Sequence, residues 1–182
     1  MTGEVVMRTG VTQDNPGGQQ WTLVPAECPF TSICAGINND IWAVSKDGRA
    51  HLRIGVTADN QKGRNWVNID APGTPLKQVV AGGGAVWALD QDGGLYRRQE
   101  VQKLFPEGTT WTLVSSCVSC ISMSSCGQLW AVLSVLEMDN GQARGVICRR
   151  KGITTACPNG NDWDCTVGTG WATISARVPL PL

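Results

Sequence analysis

Two cysteines separated by two residues, Cys117 and Cys120, have the spacing in this chain that most resembles a metal or redox motif. A structural zinc site usually takes four Cys or His ligands in paired spacings, and here no second pair accompanies the first. A redox-active Cys-x-x-Cys pair would need a helix after it, and no helical periodicity follows Cys120. We therefore expect no metal and no other cofactor.

The only histidine, His51, is the remaining candidate for acid–base chemistry. It has no nearby Ser or Cys nucleophile and carboxylate arranged in a recognisable catalytic motif. The glycines follow turns rather than a strand-to-helix junction, so the chain contains no phosphate-binding loop and no dinucleotide fingerprint. The sequence therefore predicts a protein without enzymatic activity.

A polar insert near the C-terminal end carries the best candidate for partner binding. Trp163 lies there beside Asn161, Asp162 and Asp164, outside the spacing of the other tryptophans. A loop tryptophan offers a large contact area, and the neighbouring polar side chains can add hydrogen bonds. We expect these four residues to contact a partner, which would be a protein or a carbohydrate.

The other tryptophans recur in two alternating sets with a spacing of about 45 residues. The sets are Trp42, Trp87 and Trp130, and Trp21, Trp66, Trp111 and a more distant Trp171. Each member has apolar neighbours in the same register. This recurrence favours a core position between repeats over a sugar-stacking platform, so we expect all of them in the repeat core.

A short polar turn with glycine follows each member of the first set. The turns contain Asp47-Gly48 and Asp92-Gly93, and Asn140-Gly141 lies where the third turn is expected. An Asp-Gly pair between apolar runs is a strong hairpin signal, because Gly accepts the positive φ of a type I′ turn. The pattern therefore predicts a series of antiparallel hairpins.

Each repeat contains four short strands, and no long 3.6-residue periodicity indicates a helix. In the second repeat the expected strands are residues 66–69, 76–81, 85–90 and 94–98. A four-stranded repeat of about 45 residues is a β-propeller blade. The sequence thus predicts one all-β domain, a partial propeller ring of about three to four antiparallel blades. The expected boundaries are 5–53, 54–98 and 99–150, with a partial blade at 151–182.

Composition argues against several other classes of protein. Lys and Arg number 15 and so do Asp and Glu, so the formal net charge is zero. A neutral chain has no broad electrostatic attraction to nucleic acid or to an anionic membrane. No run of about 18 apolar residues is present, so we expect no transmembrane segment.

The cysteines must be interpreted through the cellular compartment. The start of the chain does not resemble a secretory signal, so we expect a cytoplasmic protein in which Cys34, Cys117 and Cys120 are free thiols. An extracellular chain would instead permit a disulfide between Cys157 and Cys165, which flank the polar insert.

Four signatures follow one another in the first repeat. They are Arg-x-Gly-Val-Thr at residues 8–12, Asn-Pro-x-Gly at 15–18, Trp-x-x-Val at 21–24, and apolar-Trp-Ala-Val-x-x-Asp-Gly-Arg at 41–49. Together they resemble the tectonin, or tachylectin-2-like, β-propeller repeat. The resemblance extends over residues 5–98 and 109–133, and more loosely over 147–174.

This family resemblance implies one of two functions. One branch consists of large cytosolic proteins with tectonin β-propeller repeats, which the resemblance links to autophagy and to traffic from the endoplasmic reticulum. The other consists of secreted lectins of innate immunity. Without a secretory signal, the expected function is a non-enzymatic protein-binding scaffold, peripheral to endoplasmic reticulum, autophagosome or lysosome membranes. A carbohydrate-binding lectin propeller is the alternative.

Overall fold

The computed structural model describes residues 3–36, 39–124, 126–136 and 143–176. In these residues the regular secondary structure is entirely β. The strands are β1 (Val5–Thr9), β2 (Gln20–Val24), β3 (Phe30–Ala35), β4 (Ile41–Ser45), β5 (Ala50–Ile54), β6 (Asn65–Ile69), β7 (Leu76–Gly82), β8 (Ala85–Asp90), β9 (Leu95–Arg98), β10 (Trp111–Ser115), β11 (Val118–Met123), β12 (Leu129–Leu136), β13 (Ala143–Lys151) and β14 (Asp162–Thr169). None of the described segments is a helix of the length and apolar character that a membrane span requires.

The strands form four antiparallel sheets. The first sheet pairs β1 with β2, the second contains β3 to β6, the third β7 to β10, and the fourth β11 to β14. In each four-stranded sheet consecutive strands are neighbours, which is the arrangement of a propeller blade. The described residues do not close into a ring. The predicted partial all-β propeller is therefore confirmed.

The sheets are offset by one strand from the predicted repeat boundaries at 53/54 and 98/99. Strand β6, which carries Trp66, was expected to open the second repeat, but it pairs with β5 and completes the second sheet. The same offset makes β10 and β14 the last strands of their sheets. Hydrogen bonding explains the offset, because β5 and β6 pair along their whole length and the Arg64 N–H donates to the Ile54 carbonyl at 2.8 Å to close the loop between them. Residues 70–75 then form a linker to the next sheet.

The Asp-Gly turns differ from the predicted type I′ geometry. In the β4–β5 hairpin the Gly48 N–H donates to the Ser45 carbonyl at 2.9 Å, and the Ser45 N–H donates to the Arg49 carbonyl at 2.9 Å. Gly48 has a φ of 81°, whereas Asp47 does not have a positive φ. One positive φ after a turn of this kind indicates a type I turn with a glycine bulge, since type I′ needs two. The third expected turn, at Asn140-Gly141, lies outside the described residues.

A second turn follows each arginine-bearing strand. At its start Gly10, Gly55 and Gly152 have φ values of 68°, 74° and 69°. In the third sheet Glu100 occupies the equivalent position with a φ of 56°. A side chain with a Cβ atom is strained in this left-handed region, so the third sheet forms the same turn at a conformational cost.

The core lies between neighbouring sheets rather than within any one of them. One cluster joins the second and third sheets and includes Trp42, Leu52, Leu76, Val79 and Val86. A second cluster joins the third and fourth sheets and includes Trp87, Leu95, Val118, Ile121 and Leu129. Trp42 and Trp87 are completely buried. Each of these tryptophans, on the second strand of its sheet, is therefore packed beneath the following sheet.

Candidate binding surfaces

The same arginine–tryptophan pair spans the last two strands of all four sheets. The paired residues are Arg8 and Trp21, Arg53 and Trp66, Arg98 and Trp111, and Arg150 and Trp163. Each guanidinium carbon lies 5.0 to 5.4 Å from the indole centroid, which is a cation–π distance. Each guanidinium Nε also donates to a main-chain carbonyl of the following turn at 2.6 to 3.0 Å. The prediction that Trp163 lies outside the repeat register is therefore wrong.

In the three four-stranded sheets the indole of this pair also binds the chain at the end of the preceding sheet. Trp66 Nε1 donates to the Pro25 carbonyl at 3.1 Å, and Trp111 Nε1 donates to the Asp70 carbonyl at 2.6 Å. Trp163 Nε1 donates to the Ser115 hydroxyl oxygen at 3.3 Å. We call this contact the indole–linker bond. It joins each four-stranded sheet to the end of the sheet before it.

Trp163 is half-buried and packs against the cluster between the third and fourth sheets. Asp164 Oδ2 lies 3.1 Å from Arg149 Nη2, and Asp162 Oδ2 lies 3.7 Å from Lys151 Nζ. The Asn161 N–H donates to the carbonyl of Lys151 at 3.0 Å. The structure thus brings the four predicted contact residues together at the start of β14, with both carboxylates paired to cations of β13. Their role in partner binding stays a prediction.

The remaining tryptophans differ in burial. Trp130, Trp66 and Trp111 are half-buried. Trp21 is in register but 64% exposed, and Trp171 is 49% exposed. Trp171 follows the end of β14, where its N–H donates to the Gly145 carbonyl at 3.1 Å. The prediction that Trp171 is the fourth copy in the repeat core is wrong, because Trp163 occupies that position opposite Arg150.

A cleft in the second sheet brings together side chains that the sequence analysis did not connect. It has a volume of about 550 Å³, and Phe30, His51 and Trp66 line it. The Phe30 ring centroid lies 5.2 Å from that of His51 and 4.6 Å from that of Trp66. Lys46 and Arg49 lie at its rim with Asp47 and Glu27. The cleft therefore combines an aromatic floor with charges of both signs.

The hydrogen bonds and the pKa of His51 indicate the protonation form of its imidazole in this cleft. The Ser45 hydroxyl donates a short hydrogen bond to Asp47 Oδ1, and its oxygen lies 3.2 Å from His51 Nε2. Because the hydroxyl proton is already committed to Asp47, His51 Nε2 donates to Ser45. Burial lowers the pKa of His51, and the nearby Asp47 offsets only part of that effect. The imidazole is therefore neutral at neutral pH.

The Cys28 thiol lies beside the same imidazole. Its Sγ is 3.9 Å from His51 Nε2. Burial raises the pKa of Cys28, and the carboxylates of Asp47 and Glu27 raise it further. A protonated thiol beside a neutral imidazole is a poor nucleophile, because the thiolate is the reactive form. The cleft is accordingly better suited to binding than to covalent chemistry.

The equivalent position in the third sheet is filled. Tyr96 takes the register position of His51 there. Its hydroxyl lies 3.5 Å from Thr74 Oγ1, which donates to Asp90 Oδ2 at 2.7 Å. The cleft is therefore not a requirement of the blade. Aligning the repeats would have given a sequence signal, namely a histidine where the next repeat has a tyrosine.

The structure contains a disulfide that differs from the one an extracellular chain would permit between Cys157 and Cys165. Cys148 and Cys165 form a disulfide between β13 and β14. Cys157 is free, and its N–H donates to Thr154 Oγ1 at 3.0 Å in the turn. The register explains this difference, because Cys165 lies beside β13 rather than near the turn. Cys34, Cys117 and Cys120 are free thiols. Within the described residues no three His, Cys, Asp or Glu side chains are grouped to hold a metal ion.

Comparison with known proteins gives a family and several relatives. The family model described as Tectonin domain matches residues 7–134. Tectonin beta-propeller repeat-containing protein 1 of Rattus norvegicus is 36% identical over 57 residues, covering 31% of this chain and 5% of that protein. The protein of the same name from Gallus gallus is 35% identical over 176 residues, covering 96% of this chain and 15% of that protein. The match thus spans only a small share of these relatives.

Among solved structures, the chain is similar to PorZ of Porphyromonas gingivalis. The TM-score is 0.52 at 12% sequence identity, and the match covers 97% of this chain and 21% of the PorZ chain. At this identity the similarity supports the fold alone.

Proposed function

Because the chain belongs to the tectonin domain family, we propose that it is a protein-binding propeller scaffold without enzymatic activity. The family resemblance implies a cytoplasmic role in autophagy or in traffic between the endoplasmic reticulum and vesicles. Its partners would then be proteins of that machinery. The scaffold would act as part of a longer protein, as expected from relatives that extend well beyond the matched segment.

The cleft around His51 is the observation that supports this proposal. Protein interfaces concentrate their binding energy in aromatic anchors surrounded by a polar rim, and the cleft has both components. Lys46 and Arg49 lie at the rim beside Asp47 and Glu27, so charged groups of both signs are available to pair with complementary groups of a partner. The neighbouring sheet fills the same position with Tyr96, so the cleft is free to serve a purpose other than stability.

A charge reversal at the rim tests the proposal. Proteins that co-purify with the full-length wild type should be depleted at least tenfold by Lys46→Glu combined with Arg49→Glu. The matched control is Arg64→Glu combined with Lys103→Glu, which makes the same charge change at exposed positions elsewhere. Thermal unfolding of both variants checks that the fold is retained. Equal partner sets in the two variants would contradict a protein-binding role for the cleft.

One observation supports a second candidate, a secreted carbohydrate-binding propeller. The Cys148–Cys165 disulfide is typical of an oxidising compartment. Alkylation of the protein at the moment of cell lysis, followed by thiol counting, distinguishes the candidates. An oxidised pair together with binding on a glycan array would favour the lectin. A reduced pair without glycan binding would favour the cytoplasmic scaffold.

A further inference from the structure

A second cleft, of about 550 Å³, lies between the third and fourth sheets. Gly83 and Gly84 line it from the turn between β7 and β8, and Ile153 and Thr154 line it from the turn after β13. Arg97 of β9 also lines it and is the only Lys, Arg, His, Asp or Glu residue to do so in the described part of the chain. The cleft therefore presents a single cation and no carboxylate.

The blade fold does not require an arginine at the position of Arg97. In each four-stranded sheet the equivalent residue lies opposite the tryptophan of the second strand, and the three equivalents are Leu52, Arg97 and Arg149. Leu52 is 1% exposed and belongs to the core cluster between the second and third sheets. An apolar side chain can thus fill this position, whereas Arg97 brings a charge to it.

The equivalent arginine of the fourth sheet has a carboxylate partner. Arg149 lies opposite Asp164 on β14, and its Nη2 is 3.1 Å from Asp164 Oδ2. Arg97 lies opposite Thr112 on β10, which offers no negative charge. The third sheet therefore keeps the guanidinium but lacks the carboxylate that pairs with it in the fourth sheet.

The Arg97 guanidinium is also incompletely hydrogen-bonded. Its Nη1 donates to Gln99 Oε1 at 3.2 Å, whereas its Nε is buried and has no hydrogen-bond partner within the described residues. None of the ion pairs between described residues includes Arg97. Burial lowers the pKa of Arg97, as expected for a cation partly removed from water. Because an uncompensated charge at such a place is unfavourable, an anion bound beside it would be stabilising.

We propose that this cleft binds an acidic residue of a partner peptide, with the carboxylate paired to Arg97. The planar guanidinium matches a carboxylate in shape and hydrogen-bonding geometry, and one cation balances the charge of one carboxylate. Gly83 and Gly84 carry no side chains, so a peptide can approach the main chain of their turn closely. The Thr154 hydroxyl is available to the peptide amides. This proposal rests on a protein-binding function but not on the His51 cleft, so either site can fail its test without the other.

NMR of the whole chain tests the site through the Arg97 Nε–Hε signal, which is identified by its absence from Arg97→Leu. The probe is a blocked peptide with one aspartate between alanines, and the matched control peptide has asparagine instead. The aspartate peptide should shift the signal saturably and bind at least tenfold more tightly than the asparagine peptide, which lacks the charge. Equal affinities, or no saturable shift at millimolar concentration, would overturn the proposal. Tighter binding of inorganic phosphate at the same ionic strength would also overturn it, because the site would then take a phosphate group.

A leucine substitution separates a binding role of Arg97 from a structural one. Arg97→Leu, which introduces the side chain found at residue 52, should weaken calorimetric binding of the aspartate peptide at least tenfold. It should unfold at the same temperature as the wild type or higher, because the uncompensated charge has been removed. Arg64→Leu, at an exposed arginine, should leave the affinity unchanged. Unchanged affinity in Arg97→Leu would overturn the proposal.

A carboxylate placed inside the cleft provides a test that leaves Arg97 intact. A Cβ atom at Gly84 would meet no atom within 4 Å, and Asp and Asn tolerate its φ of 76° better than most residues do. Gly84→Asp should therefore weaken binding of the aspartate peptide at least tenfold relative to Gly84→Asn, which has the same shape without the charge. Equal affinities in these two variants would place the peptide elsewhere and overturn the proposal.

Discussion

At the scale of single residues, the four arginine–tryptophan pairs show how the repeat is held. The guanidinium stacks on the indole and bonds to the turn beyond it, so one side chain fixes both the last strand and its hairpin. Trp163 shares these contacts although the sequence around it is polar. Its position therefore follows from its partner Arg150 rather than from its neighbours in the chain.

Trp163→Ala should destabilise the protein by about 3 kcal/mol, near the lower limit for the loss of a buried aromatic side chain. Trp171→Ala is the matched control and should change the free energy of unfolding by about 0.5 kcal/mol or less. Urea titrations of both variants measure the difference. Unchanged stability with weakened partner binding in Trp163→Ala would instead show that this residue is a contact residue.

His51 should make stability depend on pH. Its pKa is lowered from the usual value of 6.5 by burial, so the folded state binds the proton less readily than the unfolded chain. The stabilisation is present above pH 6.5 and is lost as the pH falls through the lower, folded-state pKa. Asp47, Glu27 and Arg49 face the same imidazole and modulate the effect.

Comparison of the wild type with His51→Gln tests this dependence. The urea midpoint of the wild type should fall more between about pH 7 and about pH 5 than that of the variant, because glutamine does not titrate. The carboxylates common to both proteins contribute equally and cancel in the comparison. Parallel decreases would show that His51 does not carry the pH dependence.

At the scale of strands and turns, the third sheet contains one residue with a strained backbone conformation that glycine would relieve. Glu100 adopts the left-handed conformation that glycine adopts at the equivalent positions of the other three sheets. Glu100→Gly should therefore stabilise the protein by about 1 kcal/mol. Lys103→Gly, in the same loop but without a positive φ, should destabilise it slightly because it only adds freedom to the unfolded chain. Thermal unfolding measures both changes, and a destabilising Glu100→Gly would contradict the assigned strain.

Most strands and the positions of the Asp-Gly turns could be predicted from the sequence, because apolar runs bounded by glycine recur with little variation. The type of these turns and strand β14, which lies in the polar insert, could not. The strand at which each sheet begins could not be predicted. A repeating pattern has no marked beginning, and only the hydrogen bonding shows that β6 is the last strand of its sheet. The apolar neighbours of Trp171 match the motif, whereas those of Trp163 do not, so the motif alone favours Trp171. The position of Arg150 identifies Trp163 as the repeat tryptophan more reliably, since each arginine precedes its tryptophan by the same number of residues in all four repeats.

The His51 cleft could not be predicted from the sequence for a different reason. Its residues come from three separate segments: the linker before β3, the β4–β5 hairpin and strand β6. The repeat motifs in the hairpin and in β6 predict strands and turns and do not indicate a cleft between them. The one difference that the register establishes is His51 in place of Tyr96 of the next sheet. Only the packing of the segments together shows the space that remains.

At the scale of the whole molecule, stability depends on the contacts between sheets. Trp87→Ala should cost about 3–5 kcal/mol, the usual range for an aromatic core deletion. Trp87→Phe should cost about 1.5 kcal/mol or less, because it retains a ring and removes an indole N–H that has no hydrogen-bond partner in the structure. Chemical unfolding followed by more than one probe measures both. Similar losses in the two variants would place the stabilising contribution elsewhere.

The indole–linker bond has a consequence for how this chain tolerates substitution over time. Two of its three acceptors are main-chain carbonyls, those of Pro25 and Asp70, and every amino acid supplies such an oxygen. The linkers can therefore drift in sequence without losing the contact. Ser115 is the exception, because its side-chain hydroxyl is the acceptor. A saturation library should accordingly accept many residues at 25 and few at 115, whereas position 70 is also constrained because the Asp70 carboxylate lies 2.8 Å from Nη1 of the buried Arg98. Three positions with one architectural role thus record different degrees of freedom to change.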